Sequence, residues 1–112
     1  MHCSYGMHNL KYGINPKSEI VKTAKECMDF VDQVNGFNET THAEWSGEVG
    51  NKANFPPGCF VLCSESGVDI DCFSKEQGQN IEMMFNSILD PSLTAPDTFP
   101  TNAAVVFKRC IE

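Results

Sequence analysis

Six cysteines in a chain of 112 residues constrain the fold more than any other feature. They stand at Cys3, Cys27, Cys59, Cys63, Cys72 and Cys110. An even count at this density reads as a disulfide framework, because a small domain buries too little apolar surface to dispense with cross-links. The competing reading is a set of buried free thiols in a reduced cytosolic protein. Residues 1–10, MHCSYGMHNL, hold no apolar run and no cleavage motif, so no targeting signal is visible. The cysteine count favours a mature or trimmed chain in an extracytoplasmic oxidising compartment. Asn38-Glu39-Thr40 is a glycosylation sequon and fits a secretory route.

The length fits one domain over residues 1–112. Fifteen acidic against eight basic side chains give a net charge of −7. That argues against nucleic acid, which needs clustered Lys and Arg, and against a polybasic grip on anionic lipid. The longest purely aliphatic or aromatic run is Ala103–Phe107, far short of the roughly 20 residues of a membrane span. Peripheral docking on a membrane complex stays open.

The strongest local signal is a helix over 23–35. Thr23 followed by Glu26 forms a capping box. Ala24, Cys27, Met28, Val31 and Val34 then recur at helical spacing and define the buried stripe. Asn35-Gly36 is the expected stop, with Phe37 folding back on the last turn. Before the helix, residues 1–22 read as an irregular arm containing Gly6, Gly13 and Pro16. Tyr5, Leu10, Tyr12 and Ile14 pin it to a core, and Ile20-Val21 forms a short extended piece. Residues 38–58 are polar, poor in periodic apolars, and end in Phe55-Pro56-Pro57-Gly58. They read as a long ordered loop, and such loops are often functional.

Beyond that loop, residues 59–112 read as strands and loops, with period two in the strands. Cys59–Cys63 and Val68–Phe73 are strands joined by a turn at Glu65-Ser66-Gly67. Ile81–Phe85 is a third and Ala103–Ile111 a last strand. Asp90–Pro100 is a proline-rich loop. The expected fold is α+β: one helix packed on a small antiparallel sheet, stapled by disulfides.

Three short segments carry a family resemblance: Thr23-Ala24-Lys25-Glu26-Cys27, Pro56-Pro57-Gly58-Cys59-Phe60 and Met84-Phe85-Asn86. Together they resemble a small cysteine-containing domain abundant in proteins of dinoflagellates, diatoms and other algae. The resemblance covers roughly residues 20–87. Domains of that kind are often repeated or attached to larger extracytoplasmic proteins, and the resemblance implies no enzymatic activity. Cys63 and Cys72 depart from its pattern, as does the long spacer before Phe85. The helix-then-hairpin order is loosely similar to PAN/apple binding modules. Six cysteines allow fifteen pairings. Cys27 and Cys59 both lie in the shared motif, which favours Cys27–Cys59. Cys3–Cys110 would join the arm to the last strand, leaving Cys63–Cys72 across the hairpin. Cys59–Cys72 is the alternative if the turn closes at 64–67.

Candidate chemistry is sparse. Cys59-x-x-x-Cys63 is not the Cys-x-x-Cys of thiol redox catalysis, and in a strand its two residues share a face too far apart to bond. A zinc site could draw on Cys59, Cys63, Cys72 and a histidine, but paired knuckles are missing. Glu65, Asp69 and Asp71 lack the glycine-centred loop of a calcium site and read as a solvated strand face. Met1, His2, Met7 and His8 could bind copper, though a frayed terminus is the simpler account. No nucleophile stands in a Gly-x-Ser-x-Gly turn. Trp45, flanked by His42, Glu44 and Glu48 in the 38–58 loop, is the candidate contact surface, for an exposed indole suits a binding hot spot. The alternative is that Trp45 folds inward and anchors its own segment. The expected function is therefore a non-catalytic binding or assembly module without a cofactor, with a protein or glycan partner. It would sit outside the cell or, as a soluble accessory subunit of a larger complex, in the thylakoid lumen. The rival is a small thiol-redox or metal-dependent enzyme.

Overall fold

A computed structural model describes residues 2–37, 41–63 and 79–111. One helix, α1 (Ala24–Phe37), packs on a five-stranded sheet. The strands are β1 (His2–Asn9), β2 (Thr41–Gly50), β3 (Gly58–Cys63), β4 (Gln79–Asn86) and β5 (Ala103–Ile111). Their spatial order is β1-β5-β3-β4-β2. Three of the four pairings are antiparallel, and β2 runs parallel to β4. The sheet is therefore mixed, not purely antiparallel as expected from the sequence.

The reason for the mixture lies in the β2–β3 connection. Since β4 is parallel to β2 and antiparallel to β3, β2 and β3 form a split hairpin with β4 inserted between them. Residues 51–57 must then arch over the end of β4. Asn86, the last residue of β4 and fully buried, fastens that arch. Its Nδ2 lies 2.8 Å from the carbonyl of Lys52 and 3.1 Å from those of Phe55 and Pro56. Its Oδ1 accepts from the amides of Lys52 and Ile88. A buried amide with all its groups engaged fixes a chain crossing that side-chain packing alone would leave loose.

Period two in β3, β4 and β5 places Val61, Ile81, Met83, Phe85, Ala104 and Val106 under the helix. The helix answers with Cys27, Phe30, Val31 and Val34, all buried. Met28, expected on that stripe, is 45% exposed, and Phe30 takes the place three residues after Cys27. The cap forms as expected: the Glu26 amide donates to Thr23 Oγ1 at 3.2 Å. The stop does not. The helix continues through Gly36 to Phe37. The Asn35 side chain is used elsewhere, donating to the Ala43 carbonyl at 3.0 Å and accepting from its amide at 2.8 Å. The Phe37 side chain lies outside those described.

Two segments expected to be irregular are strands. The arm contains β1, paired with β5 along its whole length, with Tyr5 and Met7 turned toward the helix layer. Tyr12, expected to pin it, is instead 71% exposed. The 38–58 loop contains β2. Both are edge strands, each with a partner on one side only among the described residues, so their apolar alternation is weak. Ile20 makes an isolated bridge to Phe107 and lies against Gly58 at the start of β3. Cys3 is bonded to Cys110 across the β1–β5 pair, and Cys27 to Cys59 from helix to sheet. Cys63 is also in a disulfide. Its expected partner Cys72, the Val68–Phe73 strand, Glu65, Asp69, Asp71 and the Asn38 sequon lie outside the described residues.

Candidate functional site

The candidate contact residues separate when β2 is a strand. Ala43 and Trp45 face the helix layer, Ala43 buried and Trp45 partly buried against the core. His42 and Glu44 alternate with them and are exposed on the opposite face, whereas Glu48, also exposed, is level with the inward Phe85 and does not join them. Trp45 is thus not in a loop, and His42 and Glu44 lie on the face opposite it. Of the two readings of its indole, the inward one matches this position. Glu48 comes after a register shift between Trp45 and Gly47, where φ of +102° at Gly47 accommodates a bulge.

On the face away from α1, a cleft of about 480 Å³ opens over β2, β4 and the end of β3. His42 and Glu44 line it together with Leu62, Asn80, Glu82 and Asn102. Strand register explains the set. His42 is level with Asn80 and Glu44 with Glu82 across the parallel β2–β4 pair, and Glu82 is level with Leu62 on β3. Asn102 closes one side, its Nδ2 donating to the Cys63 carbonyl at 2.8 Å while its own carbonyl accepts from the Cys63 amide at 2.9 Å.

The electrostatics are one-sided. Glu44 and Glu82 are neighbours on one face of adjacent strands, an arrangement that destabilises a sheet when both are charged. His42 Nε2 lies 3.3 Å from Glu44 Oε1. Glu82, Asn80 and Asn102 were not singled out by the sequence. The available signal was Glu82 itself, an acid at an outward position between the inward Ile81 and Met83.

A second polar cluster sits on the helix side. Glu26 Oε2 accepts from Tyr5 Oη and from Lys108 Nζ, each at 2.6 Å. The Lys108 hydrogen bond, then that of Tyr5, holds the Glu26 carboxyl below the ordinary carboxylate range. Glu26 in turn raises both Lys108 and Tyr5. This cluster ties α1, β1 and β5 together.

The metal and redox candidates do not assemble around the residues described. Cys59 is bonded to Cys27, which removes it from a dithiol and from a zinc ligand set. His2 and His8 lie roughly 20 Å apart along β1. His8 Nε2 is 2.9 Å from Asn15 Oδ1, and Met7 is buried on the other face. Among the described residues no group of three or more His, Cys, Asp and Glu side chains is disposed to hold a metal ion. No helix among them is long and apolar enough to cross a membrane. No family model, no curated protein and no solved structure matches this chain.

Proposed function

We propose that this chain is a non-catalytic binding module whose cleft takes a cationic group of a protein partner. The observation that carries the reading is the level pairing of Glu44 with Glu82 on the cleft face. Two adjacent carboxylates cost stability in the free protein, and a bound ammonium or guanidinium removes that cost. A glycan partner is less well served, because Trp45 turns to the helix layer and offers the cleft no stacking face. The thiol-redox and zinc alternatives lose Cys59 to a disulfide.

The disulfides are compatible with an oxidising compartment. Within that class, the algal resemblance supports an extracellular setting or the thylakoid lumen, with the domain acting as an accessory subunit of a larger assembly. The test is a titration of isotope-labelled protein with a short lysine peptide. Amide shifts should centre on His42, Glu44, Asn80 and Glu82 and vanish in the Glu44→Gln, Glu82→Gln double variant. Shifts spread evenly over the acidic surface, or none, would refute the reading.

A further inference from the structure

The outer edge of β2 is held by a side chain standing where a neighbouring strand would be. In a parallel pair, successive residues alternate in which edge their N–H and C=O face. Both groups of Ala43 are engaged by the Asn35 amide, at 2.8 and 3.0 Å, so they face outward from the sheet. Asn35 presents one donor and one acceptor, as a peptide group of an added strand does. It is itself exposed, so water can take over its hydrogen bonds when it leaves. Edge strands are commonly blunted in this way, and a blunted edge can be reopened.

We infer that an extended basic segment of a partner protein adds as a strand to Thr41–Trp45, displacing the Asn35 amide from Ala43 and sending a Lys or Arg into the cleft at Glu44 and Glu82. The inference rests on the cleft reading above and adds to it the conformation of the ligand. Charge complementarity selects the partner: β2 contains two glutamates and no Lys or Arg, and the whole chain carries −7. Geometry limits the register, since bulges after Trp45 and after Glu48 disturb the strand beyond that point. Side chains of an added strand alternate between faces, so every second residue would reach the cleft side.

The experiment uses the intact oxidised chain and a five-residue peptide alternating lysine and threonine, with a fully backbone N-methylated analogue of equal charge. Strand addition predicts at least a tenfold weaker affinity for the methylated peptide, by about the free energy of two or more lost backbone hydrogen bonds. It also predicts slower hydrogen exchange in β2 when the parent peptide binds, and tighter binding by Asn35→Ala, where the competing amide is gone. Equal affinities for the two peptides, both lost in Glu82→Gln, would keep the cleft reading and overturn strand addition. Failure of the parent peptide to bind would overturn both. If Asn35→Ala dimerises and ignores the peptide, the occupant of the edge is a second copy and the inference is wrong. Should that variant not fold, the peptide comparison on the native chain decides alone.

Discussion

Glu26 of α1 accepts a 2.6 Å hydrogen bond from Lys108 of β5, 82 residues away in the chain. Tyr5 of β1 donates to the same Oε2. One helix residue therefore clasps two adjacent strands, and the pair is about three-quarters buried, 28% and 27% exposed. Partial burial makes this worth more than a surface ion pair, on the order of 1 kcal/mol.

The pH dependence follows from the directions of the shifts. The Glu26 carboxyl is lowered, so its contribution is full above the ordinary carboxylate range and is lost as pH falls through its folded value. Lys108 and Tyr5 are raised, so their contributions are full at neutral pH and are lost only as pH rises through folded values above 10.5 and 10.0. Glu26→Gln should lower stability by about 1 kcal/mol near neutrality, a difference that fades below about pH 4. Urea unfolding of both proteins across pH checks it, and a gap that persists in acid would assign the effect to packing.

Asn86 should be among the most sensitive positions in the chain. Asn86→Ala removes every partner of the 52–56 arch from the β4 side chain and should cost about 3 kcal/mol or more. Asn86→Asp should be no better, because a carboxylate would face three carbonyl oxygens with nothing to donate. Denaturant midpoints decide; a loss below about 1 kcal/mol would mean that the Phe55–Phe60 stack, at 5.1 Å, holds the arch instead.

The central elements were legible from sequence for a physical reason. The α1 cap is local, and β3, β4 and β5 are flanked on both sides and buried on both faces over much of their length, so they stand out as near-continuous apolar runs. The edges carry a weaker imprint. Ala43 and Trp45 are the inward side chains that mark the first half of β2, and β1 shows Tyr5 and Met7 among polar residues. Asn35-Gly36 looks like a helix stop, yet Asn35 is spent on Ala43, a tertiary contact that local rules do not see. The site divides likewise. His42 and Glu44 stood out in a polar stretch, whereas Asn80 and Glu82 join them only through the parallel pairing of β2 with β4.

Trp45, the single tryptophan, offers a direct separation of packing from binding. Trp45→Ala should lower stability by about 2 kcal/mol, less than a fully buried indole would, since Trp45 is only partly covered. Its affinity for the lysine peptide, measured on the folded protein, should stay unchanged because the ring is on the other face from the cleft. Lost affinity at unchanged stability would put the indole in the contact surface.

Two glycines should respond oppositely to alanine. Gly58 has φ of +73°, and an added Cβ would lie 2.5 Å from Ile20 Cγ2 and 2.8 Å from the Val21 carbonyl oxygen. Gly58→Ala should cost about 2 kcal/mol or more, from backbone strain and overpacking together. Gly36 is helical with open space at its Cβ position. Gly36→Ala should stabilise by about 0.5 kcal/mol through helix propensity. Thermal melts of the two variants should shift in opposite directions.

Glu82 connects stability to the proposed binding. In the free protein its charge lies level with that of Glu44, so Glu82→Gln should stabilise the fold by a few tenths of a kcal/mol. The same substitution removes half of the charge offered to a cationic ligand and should weaken the lysine peptide about tenfold, since charge-assisted hydrogen bonds contribute roughly 1.5–3 kcal/mol. A more stable and weaker-binding variant is what a residue retained for recognition produces. Raising the salt concentration should shrink both effects, because both are electrostatic and the residues are exposed. Measuring stability and peptide affinity on this variant at low and high salt tests the pairing from both sides. A Glu82→Gln protein that is destabilised, or that binds as tightly as the native chain, would remove Glu82 from the site.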